Sequence, residues 1–125
     1  MATLTFKGGI PPYDGKELTK DKPIRDVLPK GDLVYPMQQH IGAPAKPIVK
    51  KGDRVLAGQK IAEAGAFVSA PGYATVSGTV KAIEPRRVVT GEEVMSIVVE
   101  NDELYEETEA WEPLDVKKAS REEII

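Results

Sequence analysis

The sequence predicts an all-β protein built as a small sandwich or barrel, and three observations point there. Short β-rich stretches recur between Leu33 and Val99, separated by turn signals such as Gly52-Asp53, Ala57-Gly58 and Ala70-Pro71-Gly72. Where a stretch is long enough the pattern has period two: Met95, Ile97 and Val99 alternate with Ser96, Val98 and Glu100. The 125 residues are 41% hydrophobic with 11 glycines and 10 prolines. That supplies one core and no second one.

Taken in order, residues 1–32 read as an irregular N-terminal arm. Gly8-Gly9-Ile10-Pro11-Pro12 fits neither helix nor central strand, because proline lacks a donor and glycine favours turns. The arm is expected to lie on the rest through Phe6, Ile10, Ile24 and Val27. Residues 33–102 form the β domain. Its strands are expected at Leu33-Val34-Tyr35, Pro47-Ile48-Val49, Val55-Leu56, Gln59 to Glu63, Thr75 to Ile83 and Met95 to Val99. Val49, Val55, Ile61, Val76, Val80, Ile97 and Val99 are its expected core. An internal echo, V-x-x-G-x-x-[IV], occurs at Val55-Gly58-Ile61 and Val88-Gly91-Val94. It suggests two similar halves, each with a turn glycine between inward β-branched residues. Residues 103–125 read as an acidic linker, loose from about Glu106. Ser120-Arg121-Glu122-Glu123 then matches a capping box, and the expectation is a helix begun at a domain boundary of a longer protein.

Composition removes several function classes. Seventeen basic and 20 acidic residues leave a net charge of −3, so no global basic field for nucleic acid exists. The absence of cysteine removes disulfides, thiolate catalysis and cysteine-ligated clusters from this segment, and one histidine is too few for an ordinary zinc site. No apolar run of roughly 20 residues is present for a membrane span. Met1 to Lys7 lacks the apolar core of a signal peptide, which gives the expectation of a cytoplasmic protein without direct membrane insertion. Charge is uneven: residues 1–83 carry a net of +5 and residues 84–125 a net of −8. Glu100 to Glu112 holds seven acids and no base, a solvated stretch or a face for a basic partner.

Gly52 to Glu63 and Val76-Ser77-Gly78-Thr79-Val80 resemble the two signature stretches of biotinyl and lipoyl carrier domains, which implies a barrel-sandwich hybrid fold. Those families carry an acceptor lysine on the hairpin between the two stretches. Here the hairpin reads Ala64-Gly65-Ala66-Phe67-Val68-Ser69, and the nearest lysines, Lys60 and Lys81, lie in the flanking strands. A second resemblance covers about Thr5 to Asp102. Phe6-Lys7-Gly8-Gly9-Ile10-Pro11, Tyr35 to Ala45, Gly58 to Glu63, Phe67 to Pro71, Val76 to Val80 and Val98 to Asp102 are similar, in order and spacing, to the N-terminal region of the RnfC family, the C subunit of the Rnf electron-transport complex.

That resemblance implies the non-catalytic N-terminal domain of one component of an ion-translocating ferredoxin:NAD oxidoreductase, peripheral on the cytoplasmic face. Its partners would be the remaining domains of its own subunit and the other Rnf subunits. The parent is expected to use FMN, NAD(H) and two 4Fe-4S clusters, held in domains that follow. This segment has no G-x-G-x-x-G loop and no cysteine, so no cofactor is expected in it. A carrier acylated on Lys60 or Lys81 and a free-standing protein-binding module are the alternatives, and the isolated segment is expected to be monomeric. No catalytic, cofactor-binding or metal-ligating residue is assigned.

Individual residues carry weaker signals. His40, the single histidine, is expected as a hydrogen-bonded loop residue, with a flavin or partner contact as the sharper reading. Gln38-Gln39 are expected to hold the Gly42-Ala43-Pro44 turn, and Tyr105 or Trp111 to pin the acidic tail. Gly8-Gly9 lacks the helix N-terminus that a phosphate site needs. Arg86-Arg87 with Lys81 would make a small anion patch or a solvated turn. Glu92-Glu93 sit in a turn and point apart, unlike an acid–base pair.

Overall fold

The computed structural model describes residues 12–109 and 114–124. Phe6, Gly8, Gly9, Ile10 and Trp111 lie outside them. Among the described residues there are seven strands: β1 (Asp32–Pro36), β2 (Lys46–Pro47), β3 (Arg54–Val55), β4 (Lys60–Glu63), β5 (Gly72–Tyr73), β6 (Gly78–Arg87) and β7 (Glu93–Asn101). They form two antiparallel sheets, one in the order β1-β7-β6-β3 and the other β2-β4-β5. This is the all-β, barrel-sandwich architecture expected.

The core lies between the sheets. Val49, Val55, Ile61, Val76, Val80, Ile97 and Val99 are all buried, joined by Met37, Ala45, Ala62 and Ala74. Most of the large members are β-branched, so each fits a pleated surface with little rotamer freedom to lose. Each contributes about 1.5–3 kcal/mol by leaving water. Leu33 and Tyr35 of β1 pack onto this cluster, which turns Val34 to the other face of the sheet.

The alternation in β7 is not the one expected. Val98 and Ser96 are as buried as Ile97 and Val99, while Met95 is 46% exposed. β7 is flanked by β1 and β6, and β6 carries a bulge between Val80 and Ala82. A bulge adds twist, so a central strand can be shielded on both faces while its hairpin end opens to solvent.

Three further expectations are corrected. Ile24 and Val27 of the arm are exposed; each lies beside charges at Arg25 and Asp26 that burial would desolvate. The arm touches the sandwich at Pro29, whose carbonyl accepts from Asn101 Nδ2 at 2.7 Å and Tyr105 Oη at 2.9 Å. A 3-10 turn at Lys16–Leu18 interrupts its irregular course. The echo is not structural: Gly58 and Gly91 both have positive φ, but the first links β3 to β4 across the sheets and the second turns the β6–β7 hairpin. Val88 and Val94 are half-buried at that hairpin and not core residues.

The acidic tail is held past Glu106. Ala57 N–H donates to the Glu106 carbonyl and Thr108 N–H to the Ala57 carbonyl, each at 2.9 Å. Asn101 and Asp102 side chains accept from the Glu103 and Leu104 amides, turning the chain back toward Ala57. Glu103 and Tyr105 take positive φ to complete that reversal. Of the two aromatic candidates for pinning this segment, Tyr105 does so. Farther on, Ser120 and Glu123 bond reciprocally, Ser120 N–H to Glu123 Oε2 at 2.7 Å and Glu123 N–H to Ser120 Oγ at 3.3 Å. That capping box opens α1 (Arg121–Ile124), which buries no residue.

Candidate functional site

The two ends of the β6–β7 hairpin differ in chemistry. At the end carrying the hairpin turn, three uncharged segments meet: residues 37–45, 64–72 and 88–91 contain no Asp, Glu, Lys or Arg in a chain that is 30% charged. The loop after β1 is closed by Met37 N–H to Met95 O at 2.8 Å and Ala45 N–H to Met37 O at 2.7 Å. It is locked to the β4–β5 hairpin by Ala43 N–H to Val68 O at 2.9 Å, Ser69 Oγ to Ala43 O at 2.7 Å and Gly65 N–H to Ser69 Oγ at 3.0 Å.

This approach requires glycine. A Cβ on Gly42, whose φ is +114°, would fall 2.1 Å from Val68 O, and one on Gly65 would fall 2.1 Å from Pro44 O. His40 sits at the junction. Its Nε2 lies 3.0 Å from the Ala43 carbonyl, 3.2 Å from Ser69 Oγ and 3.2 Å from the Ala70 amide nitrogen. With the proton on Nε2 the ring donates to Ala43; with it on Nδ1 the ring accepts from Ala70. Either way His40 joins two loops. Gln38 Nε2 reaches the Gly42 carbonyl at 3.4 Å as expected, whereas Gln39 Nε2 reaches Pro36 O and not the turn.

Beside this junction is a groove of about 650 Å³. It is lined by Val34, Pro36 and Val94, by residues 38–41, and by residues 87–90 with Glu92. Ile41 and Val89 on its lining are almost fully in solvent, at 93% and 102% exposure, as is Phe67 on the 64–71 hairpin at 103%. A smaller cavity of about 200 Å³, bordered by Met37, Ala45 and Pro71, lies against His40 as well.

The opposite end is ionic. Arg54 of β3 pairs with Glu106 at 2.6 Å and with Asp102 at 3.0 Å. Ser77 Oγ donates to Asp102 Oδ1 at 2.6 Å and accepts from the Glu106 amide at 2.9 Å. These bonds hold the Asp102 carboxyl below its ordinary 3.8, the Ser77 hydroxyl first, then the Leu104 amide and Arg54. Glu106, chiefly by its hydrogen bond, holds Arg54 higher. The sequence signal for this cluster is Asn101-Asp102 as a turn opener. A depressed folded-state carboxyl contributes stability that is fully present above the unfolded value and lost as pH falls through the folded one. Denaturation midpoints between pH 2.5 and 6 are expected to fall below about pH 4. Asp102→Asn should flatten that slope; an unchanged slope would place the acid sensitivity elsewhere.

The remaining candidates do not converge. Lys81 Nζ is 2.7 Å from Asp32 Oδ2, which holds the ammonium above its usual 10.5, and Arg86 pairs with Glu84. The anion patch expected of Lys81, Arg86 and Arg87 is therefore split between separate carboxylates. Glu92 faces the groove with Thr90 Oγ1 3.4 Å away. Lys60 lies 6.0 Å from the Tyr73 ring centroid, on β4. Neither Lys60 nor Lys81 is on the 64–71 hairpin.

Residues 4–104 match the model of the RnfC barrel sandwich hybrid domain. The chain belongs to that family. RnfC relatives agree over most of this chain. It is 49% identical over 100 residues to the C subunit of the Na(+)-translocating ferredoxin:NAD(+) oxidoreductase complex of Acetobacterium woodii, covering 80% of this chain and 23% of that protein. It is 42% identical over 121 residues to the C subunit of the proton-translocating ferredoxin:NAD(+) oxidoreductase complex of Clostridium ljungdahlii, covering 91% and 26%. With the C subunit of the ion-translocating oxidoreductase complex of Vibrio cholerae it shares 34% over 122 residues, covering 96% and 16%. The chain thus spans about a quarter or less of these RnfC relatives. Among the described residues, no helix is long and apolar enough to cross a membrane.

Proposed function

We propose that this domain is the non-catalytic, N-terminal barrel sandwich of the RnfC component of an ion-translocating ferredoxin:NAD oxidoreductase, and that it serves as a rigid support for the electron-carrying parts of that complex. The observation that carries this reading is the locked hairpin. In a carrier domain the hairpin tip presents a lysine free to swing. Here residues 64–71 have no lysine and are bonded to residues 37–45 through Ala43, Ser69 and His40. A tip built this way holds a position and does not move a group.

FMN, NAD(H) and two 4Fe-4S clusters belong, in this reading, to domains outside the segment, with the parent peripheral on the cytoplasmic face. The donor set here does not fit them: cluster ligation needs thiolates and the chain has none. Dinucleotide binding calls for a glycine loop feeding a helix N-terminus, and no G-x-G-x-x-G occurs. Titrating this chain with FMN or NADH should give no saturable signal at micromolar ligand, whereas the intact subunit should bind both. Saturable binding by the isolated chain would overturn the support role and move attention to the groove beside His40.

A further inference from the structure

We infer that the end of the sandwich carrying the charge-free loops docks another subunit of the complex through an apolar segment seated in the groove between residues 38–41 and 87–90. This rests on the proposed membership in a multi-subunit complex and goes beyond it by naming the surface and the chemistry of its occupant.

Three observations carry the inference. The first is composition. Residues 37–45 and 64–72 are 18 positions without a formal charge, and the hairpin residues 88–91 add four more. Ordinary solvated loops are where charge collects; here Ile41 and Val89, on the groove lining, are almost wholly exposed instead. Monomer surfaces rarely gather large exposed apolar side chains around one concavity unless something covers them.

The second is rigidity. The Ser69 hydroxyl, the Ala43 amide and carbonyl and the His40 ring fix the two loops together, and the close approaches at Gly42 and Gly65 leave them no room to collapse inward. These bonds hold the 38–41 side of the groove in place, and a surface fixed beforehand loses little entropy on binding, which favours protein recognition by an apolar anchor.

The third is direction. The arm reaches the sandwich at Pro29, bonded to Asn101 and Tyr105, and the tail leaves along Asp102 to Thr108. Both are at the Asn101 end of β7. The groove opens at the Glu93 end of that strand and reaches back along it to Val34, which pairs with Val98. The segments that directly precede and follow the domain are tied down at the far pole. The surface facing away from them is placed to meet a different polypeptide.

A bilayer fits the observations less well. Lipid tails do not need a shaped groove, and Arg87, Glu92 and the Gln38 and Gln39 amides on its walls would lose water without partners in hydrocarbon. A protein segment can supply those partners along the rim while its apolar side chains meet Val34, Val88 and Val94.

The test uses the assembled complex. Ile41→Ser and, separately, Val89→Ser are introduced into the intact subunit, with Leu104→Ser, an exposed residue at the opposite end, as control. Losing an apolar anchor from an interface centre should weaken retention of the subunit in the purified complex by about tenfold or more. The released subunit should keep its own NADH oxidation with an artificial acceptor, and the control should stay bound. Retention of all variants at wild-type level would overturn the inference. So would loss of NADH oxidation in the released subunit with unchanged melting, because the groove would then seat the subunit's own later domains. Binding of the wild-type subunit, and not the variants, to lipid vesicles free of protein would replace the protein partner by a membrane. If the wild-type subunit itself does not co-purify with a complex, the proposed function fails, which is a separate result.

Discussion

Replacing Gly78 by valine is expected to unfold the domain. Gly78 begins β6 and pairs with both Val55 and Asn101. A Cβ there would fall 2.0 Å from the Glu100 carbonyl oxygen and 2.9 Å from its carbon. The obstacle is backbone on the central strand, so no side-chain rotation relieves it. Separating β6 from β7 at this point would also disturb Ser77, whose hydroxyl holds Asp102 and the Glu106 amide. The cost should exceed about 4 kcal/mol, the range reached only when packing or backbone is forced apart. Domains are stable by about 5–15 kcal/mol in total, so the variant should lose most of its native circular dichroism at 37 °C. Gly52→Ala is the control. Its φ of +94° is strained for alanine, but nothing lies within 4 Å, so about 1 kcal/mol is expected. A Gly78→Val protein that melts like the Gly52→Ala protein would show that β6 and β7 do not approach as described.

Ile61→Ala should lower stability by about 2–5 kcal/mol, the cost of a large-to-small change with incomplete collapse of the cavity. Ile61 has no exposed surface and joins the cluster with Val55, Val76 and Ile97. It lies on β4, whose sheet is made of only short strands, so hydrogen bonding does little to offset the loss. For a domain of this size the melting temperature should fall by about 10–25 °C. Ile24→Ala removes the same atoms from a side chain that is 99% exposed and should stay within about 0.5 kcal/mol of the parent. Equal effects at the two positions would mean that Ile24 is buried in solution or that Ile61 is not.

Some residues announce their place in the sequence and others do not. Val55, Ile61, Val76 and Val80 are β-branched residues near glycine turns, and such residues have few stable places except a sheet interior. Ser120 and Glu123 satisfy each other's backbone donors within four residues, so their capping box is legible without tertiary information. Period two misplaces Val98 because it assumes one wet face, and a bulged, centrally placed pair of strands has less of one. Ile24 and Val27 escape the pattern because apolar character alone does not say whether neighbouring charges permit burial.

Fold class, most of the inward residues, the family and the lack of thiolate chemistry all follow from residue type or from order along the chain. No such local quantity says that Ser77 meets Asp102 across 25 positions, that His40 meets Ser69 across 29, or that Tyr105 reaches Pro29 across 76. Nor does any place residues 38–41 opposite residues 87–90 to make a groove. Contacts of that separation leave no periodicity to read. They arise when sheet pairing, driven by burial of the core, brings distant loops to the same end of the strands.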